Sequence, residues 1–196
     1  MRWRPGVLSL VLLACAPSPS SPPRAAELDV PKMPDAGAPP PVALRATADR
    51  AVGTCGGATA GEAAPPLVAS SIDDRGVAIE PGKVTVLHFW ATWCAPCVAA
   101  MRNLQVFHTR LGAEGLNVVA VSVDDDEPPI PAFVRELGLT YRVAWDGKHE
   151  AAECWKVPIM PTTFVVDRAG IVRFVHAGYR HPEDSIALAN EVASLL

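Results

Sequence analysis

From about residue 62 onward, apolar residues gather in short blocks separated by polar and glycine-containing turns. Residues 84–90 (VTVLHFW) are β-branched and aromatic, the pattern of a strand buried on both faces. Beyond Cys97, Met101, Leu104, Phe107 and Leu111 recur at helical spacing and define one apolar face, and Gly115 follows the end of that face. Residues 116–123 (LNVVAVSV) read as a second buried strand. Residues 131–137 read as a short helix, with Asp124, Asp125, Asp126 and Glu127 ahead of it and Gly138 behind. A third strand over 141–145 and a helical turn over 149–155 come next. Strands over 162–167 and 171–176 are joined by Arg168-Ala169-Gly170, a hairpin signal. The closing helix spans 182–196, with Pro182 at its first position and Glu183 and Asp184 in its first turn. Its apolar stripe is Ile186, Ala189, Val192 and Leu196. The order β-α-β-α-β-α-β-β-α predicts an α/β domain, a mixed central sheet with helices on both faces.

The N-terminal third has neither period. Arg2 and Arg4 precede an apolar run over 7–14 (VLSLVLLA), which suits the core of an export signal and is too short to span a bilayer. The run stops at Leu12-Leu13-Ala14-Cys15, which resembles the bacterial lipobox, where a small residue precedes a cysteine that is lipidated and becomes the new N-terminus. The other reading of this junction is an ordinary signal peptide with a chance cysteine. Nine of the 28 residues from Ala16 to Ala43 are proline, so the stretch has the composition of an extended tether. The expected organisation is a signal peptide over 1–14, a lipid-anchored Pro/Ala-rich tether over 15–61, and a folded domain over 62–196.

Composition narrows the function classes. The 196 residues are 49% apolar and 19% charged, which excludes wholesale disorder. The net charge is −4 without a Lys/Arg-rich run, so nucleic acid is not the expected partner. No apolar run reaches the ~18 residues of an ordinary membrane-spanning helix.

One motif carries chemistry. Trp90-Ala91-Thr92-Trp93-Cys94-Ala95-Pro96-Cys97 follows a buried strand and opens a helix. A thiolate is the attacking species, and a free cysteine has a pKa of about 8.5. The unpaired N–H groups and dipole of a helix N-terminus favour the anion. Cys94 is then the exposed nucleophile that attacks a partner disulfide, and Cys97, one turn in, releases the mixed disulfide. Zinc would need a second Cys pair or a His pair at ligand spacing, and covalent haem a His straight after Cys97, where Val98 stands. His108, His149, His176 and His181 have no metal-ligand spacing. The acidic run 124–127 reads as solvated residues ahead of a helix rather than a calcium loop. No metal is expected.

The segment VLHFWATWCAPC resembles the active site of the membrane-anchored thioredoxin-like proteins of the TlpA/ResA group. The similarity covers most of residues 64–196, and VAVSVDDD and VPIMPTTFVVDRAGIVRFVHAGY match that family's later strands in order and spacing. The resemblance implies a thioredoxin-like fold and a redox-active disulfide Cys94–Cys97 with no dissociable cofactor. It also implies a cis-Pro at Pro161 beside that disulfide. The backbone of Met160 would pair with an extended substrate chain, and Trp93, Ala95 and Pro96 would border the same surface. The chain departs from the family at three places. His88 stands where the family has a buried Asp or Asn, Ala100 replaces a common Glu, and Arg102 replaces a common Pro. A neutral His88 imidazole can accept the Cys97 proton near neutral pH. The alternative is a core histidine whose ring is satisfied by a backbone group.

Two cysteines remain, Cys55 and Cys154, and an exported protein tends to oxidise spare thiols. A structural disulfide between them would pin the end of the tether to the domain, provided their Cα atoms approach within ~7 Å; otherwise both are free or buried. The resulting expectation is an extracytoplasmic thiol–disulfide oxidoreductase, lipid-anchored in a bacterial cell envelope and facing the periplasm or exterior. Its substrates would be protein thiols and disulfides, supplied with electrons by an upstream membrane reductant. Ala95-Pro96 brings no His or charge to over-stabilise the thiolate, which favours a reductant, with cytochrome c or copper-site maturation as in relatives. The rival readings are a thiol peroxidase and a copper-binding metallochaperone of the same fold.

Overall fold

The computed structural model describes residues 55–127 and 129–196. The expected signal peptide, Cys15 and the expected tether up to residue 54 lie outside the described residues. The elements are β1 (Ser70–Ser71), β2 (Val84–Trp90), α1 (Ala95–Leu111), β3 (Leu116–Ser122), α2 (Pro129–Glu136), β4 (Arg142–Trp145), α3 (Glu150–Cys154), β5 (Thr162–Val166), β6 (Val172–Ala177) and α4 (Glu183–Leu195). They build one six-stranded sheet in the order β1-β4-β3-β2-β5-β6. β2, β3 and β4 run parallel, while β1, β5 and β6 each pair antiparallel with their neighbours. The continuous apolar runs occupy the centre: every residue of β2, β3 and β5 is buried.

Helices cover both faces. Successive strand residues point to opposite sides. Phe89 and Phe164 meet edge-on at 5.9 Å between ring centroids and pack with Trp155, at the end of α3. Their neighbours His88 and Thr163 turn to the other side, where Thr163 shares a cavity wall with Ala100 and Leu104 of α1 and Leu188 of α4. This is the mixed sheet with helices on both faces, a thioredoxin-like α/β fold.

Several local expectations need correction. α1 begins at Ala95 and has Cys97 in its first turn, as the motif implied, but its regular part starts ahead of the apolar face that marked it in the sequence. A single 3₁₀ turn extends α1 to Gly115, whose φ of +107° ends it. α2 starts at Pro129, two positions before the expected 131. β1 is too short to show a period of two and exists through its pairing with Ala144 and Trp145. Pro182 caps α4 instead of opening it, after a cis His181–Pro182 bond. α4 buries Leu188 and Val192, whereas Ile186 is 43% exposed. The hydrogen-bonded structure also reaches back past residue 62. Gly57 and Ala58 donate to the carbonyls of Cys154 and Trp155, and Gly61 donates to that of Val172.

Candidate active site

The motif sits where β2 hands over to α1. Val123 N–H donates to the Trp90 carbonyl as the strand ends. A turn over 91–94 follows, closed by Cys94 N–H on the Ala91 carbonyl at 3.1 Å. Cys94 is the extended N-cap residue of α1, with Pro96 in the first helical positions. A proline there gives up only an N–H that would have no partner in the helix. The N–H groups of Cys97 and Val98 converge on the Cys94 carbonyl at 3.0 and 3.3 Å. This places Cys94 in the field of a 17-residue helix.

Cys94 Sγ and Cys97 Sγ are bonded at 1.97 Å, with their Cα atoms 5.3 Å apart. Cys94 is 5% exposed and Cys97 is fully buried. The expected exposed nucleophile is therefore almost covered in the oxidised form. The exposed members of the motif are Ala95, Pro96 and above all Trp93, at 72%. Trp93 reaches into solvent. Of the other indoles, Trp155 lies in the core and Trp145 is half-buried.

Opposite the motif, the Met160–Pro161 bond is cis. Thr162, the next residue, pairs with Phe89 near the C-terminal end of β2, so the loop lies at the same end of the sheet as Cys94. Thr162 Oγ1 donates to the Ile159 carbonyl at 2.7 Å, and Gly178 N–H donates to the Pro161 carbonyl at 2.7 Å. Neither backbone polar group of Met160 has a partner among the described residues. Ile159 beside it is 53% exposed.

His88 lies in the layer beneath the first turns of α1. Its Nδ1 is 2.9 Å from Thr163 Oγ1, and its buried Nε2 has no partner among the described residues. The ring is thus held by a side-chain hydroxyl, not by the backbone group considered above. Burial pushes its pKa down to about 3, so it is neutral across the physiological range. That makes it a weak acceptor for a thiol proton. Ala100, on the same buried helix face as Cys97, leaves no carboxylate at the other position.

Sequence reasoning missed Asp124. It is only 6% exposed, not solvated. Thr92 N–H lies 3.0 Å and Thr92 Oγ1 2.7 Å from its carboxylate, and Ser122 Oγ donates at 2.6 Å. The available signal was the short polar set at two adjacent strand ends, Thr92 after β2 and Ser122-Val123-Asp124 after β3.

At the other cysteine pair, Cys55 Sγ and Cys154 Sγ are bonded at 2.11 Å with Cα atoms 4.5 Å apart. Among the described residues no group of three His, Cys, Asp or Glu side chains could hold a metal ion.

The model of the AhpC/TSA family matches residues 61–175, more than half the chain. The chain belongs to the AhpC/TSA family. Relatives of this AhpC/TSA protein include the thiol-disulfide oxidoreductase ResA of Oceanobacillus iheyensis, 33% identical over 124 residues. That match covers 60% of this chain and 65% of the relative, so the chain spans just under two thirds of it. ResA of Geobacillus thermodenitrificans is 29% identical over 126 residues, 63% of this chain and 72% of its own. Among solved structures, one assigned as the thiol:disulfide interchange protein DsbE of Chlorobium tepidum has a TM-score of 0.64 and 29% identity. It covers 70% of this chain and 98% of its own. A DsbF homologue from Corynebacterium diphtheriae has a TM-score of 0.57 and 29% identity, covering 67% of this chain and 88% of its own.

Proposed function

We propose that this AhpC/TSA protein is a thiol–disulfide oxidoreductase that reduces protein disulfides outside the cytoplasm through Cys94 and Cys97. The observation that carries the reading is the disulfide between a helix N-cap residue and a fully buried cysteine in the helix's first turn. The relatives named thiol-disulfide oxidoreductase support it.

In the reduced protein, the Cys94 thiolate attacks one sulfur of a partner disulfide and the other partner sulfur leaves as thiolate. Cys97, deprotonated in turn, attacks Cys94 Sγ and expels the remaining partner thiolate. Two electrons pass to the partner, and Cys94–Cys97 ends as the disulfide in this structure. The unpaired Met160 backbone groups next to Pro161 hold the substrate as an extended strand. Trp93, Ala95, Pro96 and the exposed Ile159 border that strand. The neutral His88 ring, tied to Thr163, takes no proton in this scheme, and the Cys97 proton leaves to water.

The same proposal takes residues 1–14 as a cleaved signal, Cys15 as the lipidated residue, the stretch up to about 54 as a tether, and the thioredoxin-like domain, expected over 62–196, as beginning at the Cys55 cross-link. The protein then works at the surface of a bacterial membrane and draws electrons from a membrane reductant. The uncharged Ala95-Pro96 pair leaves the thiolate without extra stabilisation, which supports the reducing direction, in cytochrome c or copper-site maturation.

The test is to capture mixed disulfides with Cys97→Ser and identify the attached protein, alongside turnover of a model protein disulfide by wild type. Turnover with capture of envelope proteins is the expected result. Peroxide consumption without disulfide turnover would establish a thiol peroxidase instead. Tight Cu(I) binding by the dithiol without turnover would establish a metallochaperone.

A further inference from the structure

Asp124 lies at the base of the loop that carries Cys94. Its carboxylate accepts hydrogen bonds from the N–H and hydroxyl of Thr92 and from the hydroxyl of Ser122. Its own N–H donates to Ser122 Oγ, and its carbonyl accepts from Trp145 Nε1 at 2.7 Å. The residue is fixed from β3, β4 and the active-site turn at once. Thr92 belongs to the turn that Cys94 N–H closes, and two residues of chain reach at most about 7 Å.

No cation pairs with Asp124 among the described residues. Three further acids, Asp125, Asp126 and Glu127, follow it directly in the chain. Asp146, at the end of β4, is itself buried and accepts from Ala151 and Ala152 N–H in α3. Asp125 is exposed, with His149 Nε2 3.5 Å away. From β2 comes only the neutral His88. The turn 91–94 brings no charge. The carboxylate beside the Cys94 loop is thus held by neutral hydrogen-bond donors, with no cation paired to it among the described residues.

We propose that Asp124 is a positioning residue that holds the Cys94 turn and whose negative charge restrains thiolate formation at Cys94. A like charge nearby disfavours the ionised thiol, so Asp124 opposes the helix N-terminal field. Keeping the thiolate from becoming too stable is what a reductant requires, because a stabilised reduced form makes an oxidant. The inference rests on the oxidoreductase reading and names the residue that sets its direction.

The test separates charge from geometry in the full chain. The pH midpoint of iodoacetamide alkylation at Cys94 is read by peptide mapping after reduction. Asp124→Asn should lower the midpoint by roughly half to one pH unit. Thr92→Val and Ser122→Ala each lose a loop hydrogen bond but keep the charge, and should leave it at the wild-type value. An unchanged midpoint in Asp124→Asn overturns the proposal. So does an equal downward shift in Thr92→Val, which would make geometry the cause. Should Asp124→Asn not fold, Asp124→Glu must retain the wild-type midpoint, and a lowered one refutes the charge effect. The midpoint is a property of the thiol and is read without turnover, so failure here is distinguishable from failure of the oxidoreductase reading, which the wild-type turnover assay decides.

Discussion

His88 and Thr163 are direct cross-strand partners in the β2–β5 pair, and the imidazole Nδ1 and the hydroxyl Oγ1 are 2.9 Å apart. The bond fixes the ring and leaves Nε2 buried without a partner among the described residues. In the fold His88 stays neutral down to about pH 3, whereas unfolded it titrates at its ordinary 6.5. The unfolded chain therefore binds one more proton between those values, and stability falls as the pH drops through that window. His88→Asn removes the titration, so its stability should fall less steeply over the same range. Urea unfolding at a series of pH values checks this, and parallel curves for the two proteins would refute it.

Alkylation of the reduced protein should distinguish the two active thiols. Cys97 is fully buried, and apolar burial raises a thiol pKa, while Cys94 holds the helix N-cap. Cys94 should react first at neutral pH by at least tenfold. Equal rates at the two positions would remove the assignment of Cys94 as nucleophile.

The second disulfide joins cysteines 99 positions apart. Closing a loop of that size stabilises a fold by about 4–5 kcal/mol in the chain-entropy treatment. The Cys55→Ser, Cys154→Ser double variant should therefore unfold at a markedly lower denaturant concentration than wild type with both disulfides intact. A matching midpoint would show that the bridge contributes nothing to the domain.

Phe164 tests the core. It is 1% exposed and packs on Phe89 and Trp155 at centroid distances of 5.9 and 5.0 Å. Phe164→Ala should cost about 3–5 kcal/mol. Calorimetry that finds a loss below about 1 kcal/mol would mean that the layer repacks around the gap.

Fatty-acid labelling addresses the N-terminus. A fatty-acid analogue should tag the wild-type chain in cells and leave Cys15→Ser unlabelled. Equal labelling of both would rule out Cys15 as the acylated residue.

The strands that decide the topology were legible because the central ones are apolar throughout, as in VTVLHFW and LNVVAVS. The motif Cys94–Cys97 was legible because chemistry and position coincide at a strand-to-helix junction. β1 was not, since two serines have no period and depend on a partner 74 or so positions away. Asp124 was not, because a carboxylate in an acidic run reads as solvated until the Thr92 and Ser122 donors are brought to it. The α4 stripe misled at Ile186, because a helix with small residues on several faces, Ala187 and Ala189 among them, lets packing choose between neighbouring registers. Burial of Leu188 instead is a tertiary outcome.

The cross-link at Cys55 also has a mechanical meaning. The residues after it, from Gly57 to Ala64, are held to the domain by one backbone hydrogen bond each with Cys154, Trp155 and Gly170, two with Val172, and one isolated bridge between Ala63 and Ile171. Bonds arranged in sequence like these peel apart one at a time under tension. With Cys55 tied to the end of α3, a pull arriving along the preceding chain is carried by a covalent bond into a helix seated on the core. The weaker seam behind it stays unloaded, so tugging at the N-terminal side does not unzip the domain from its edge.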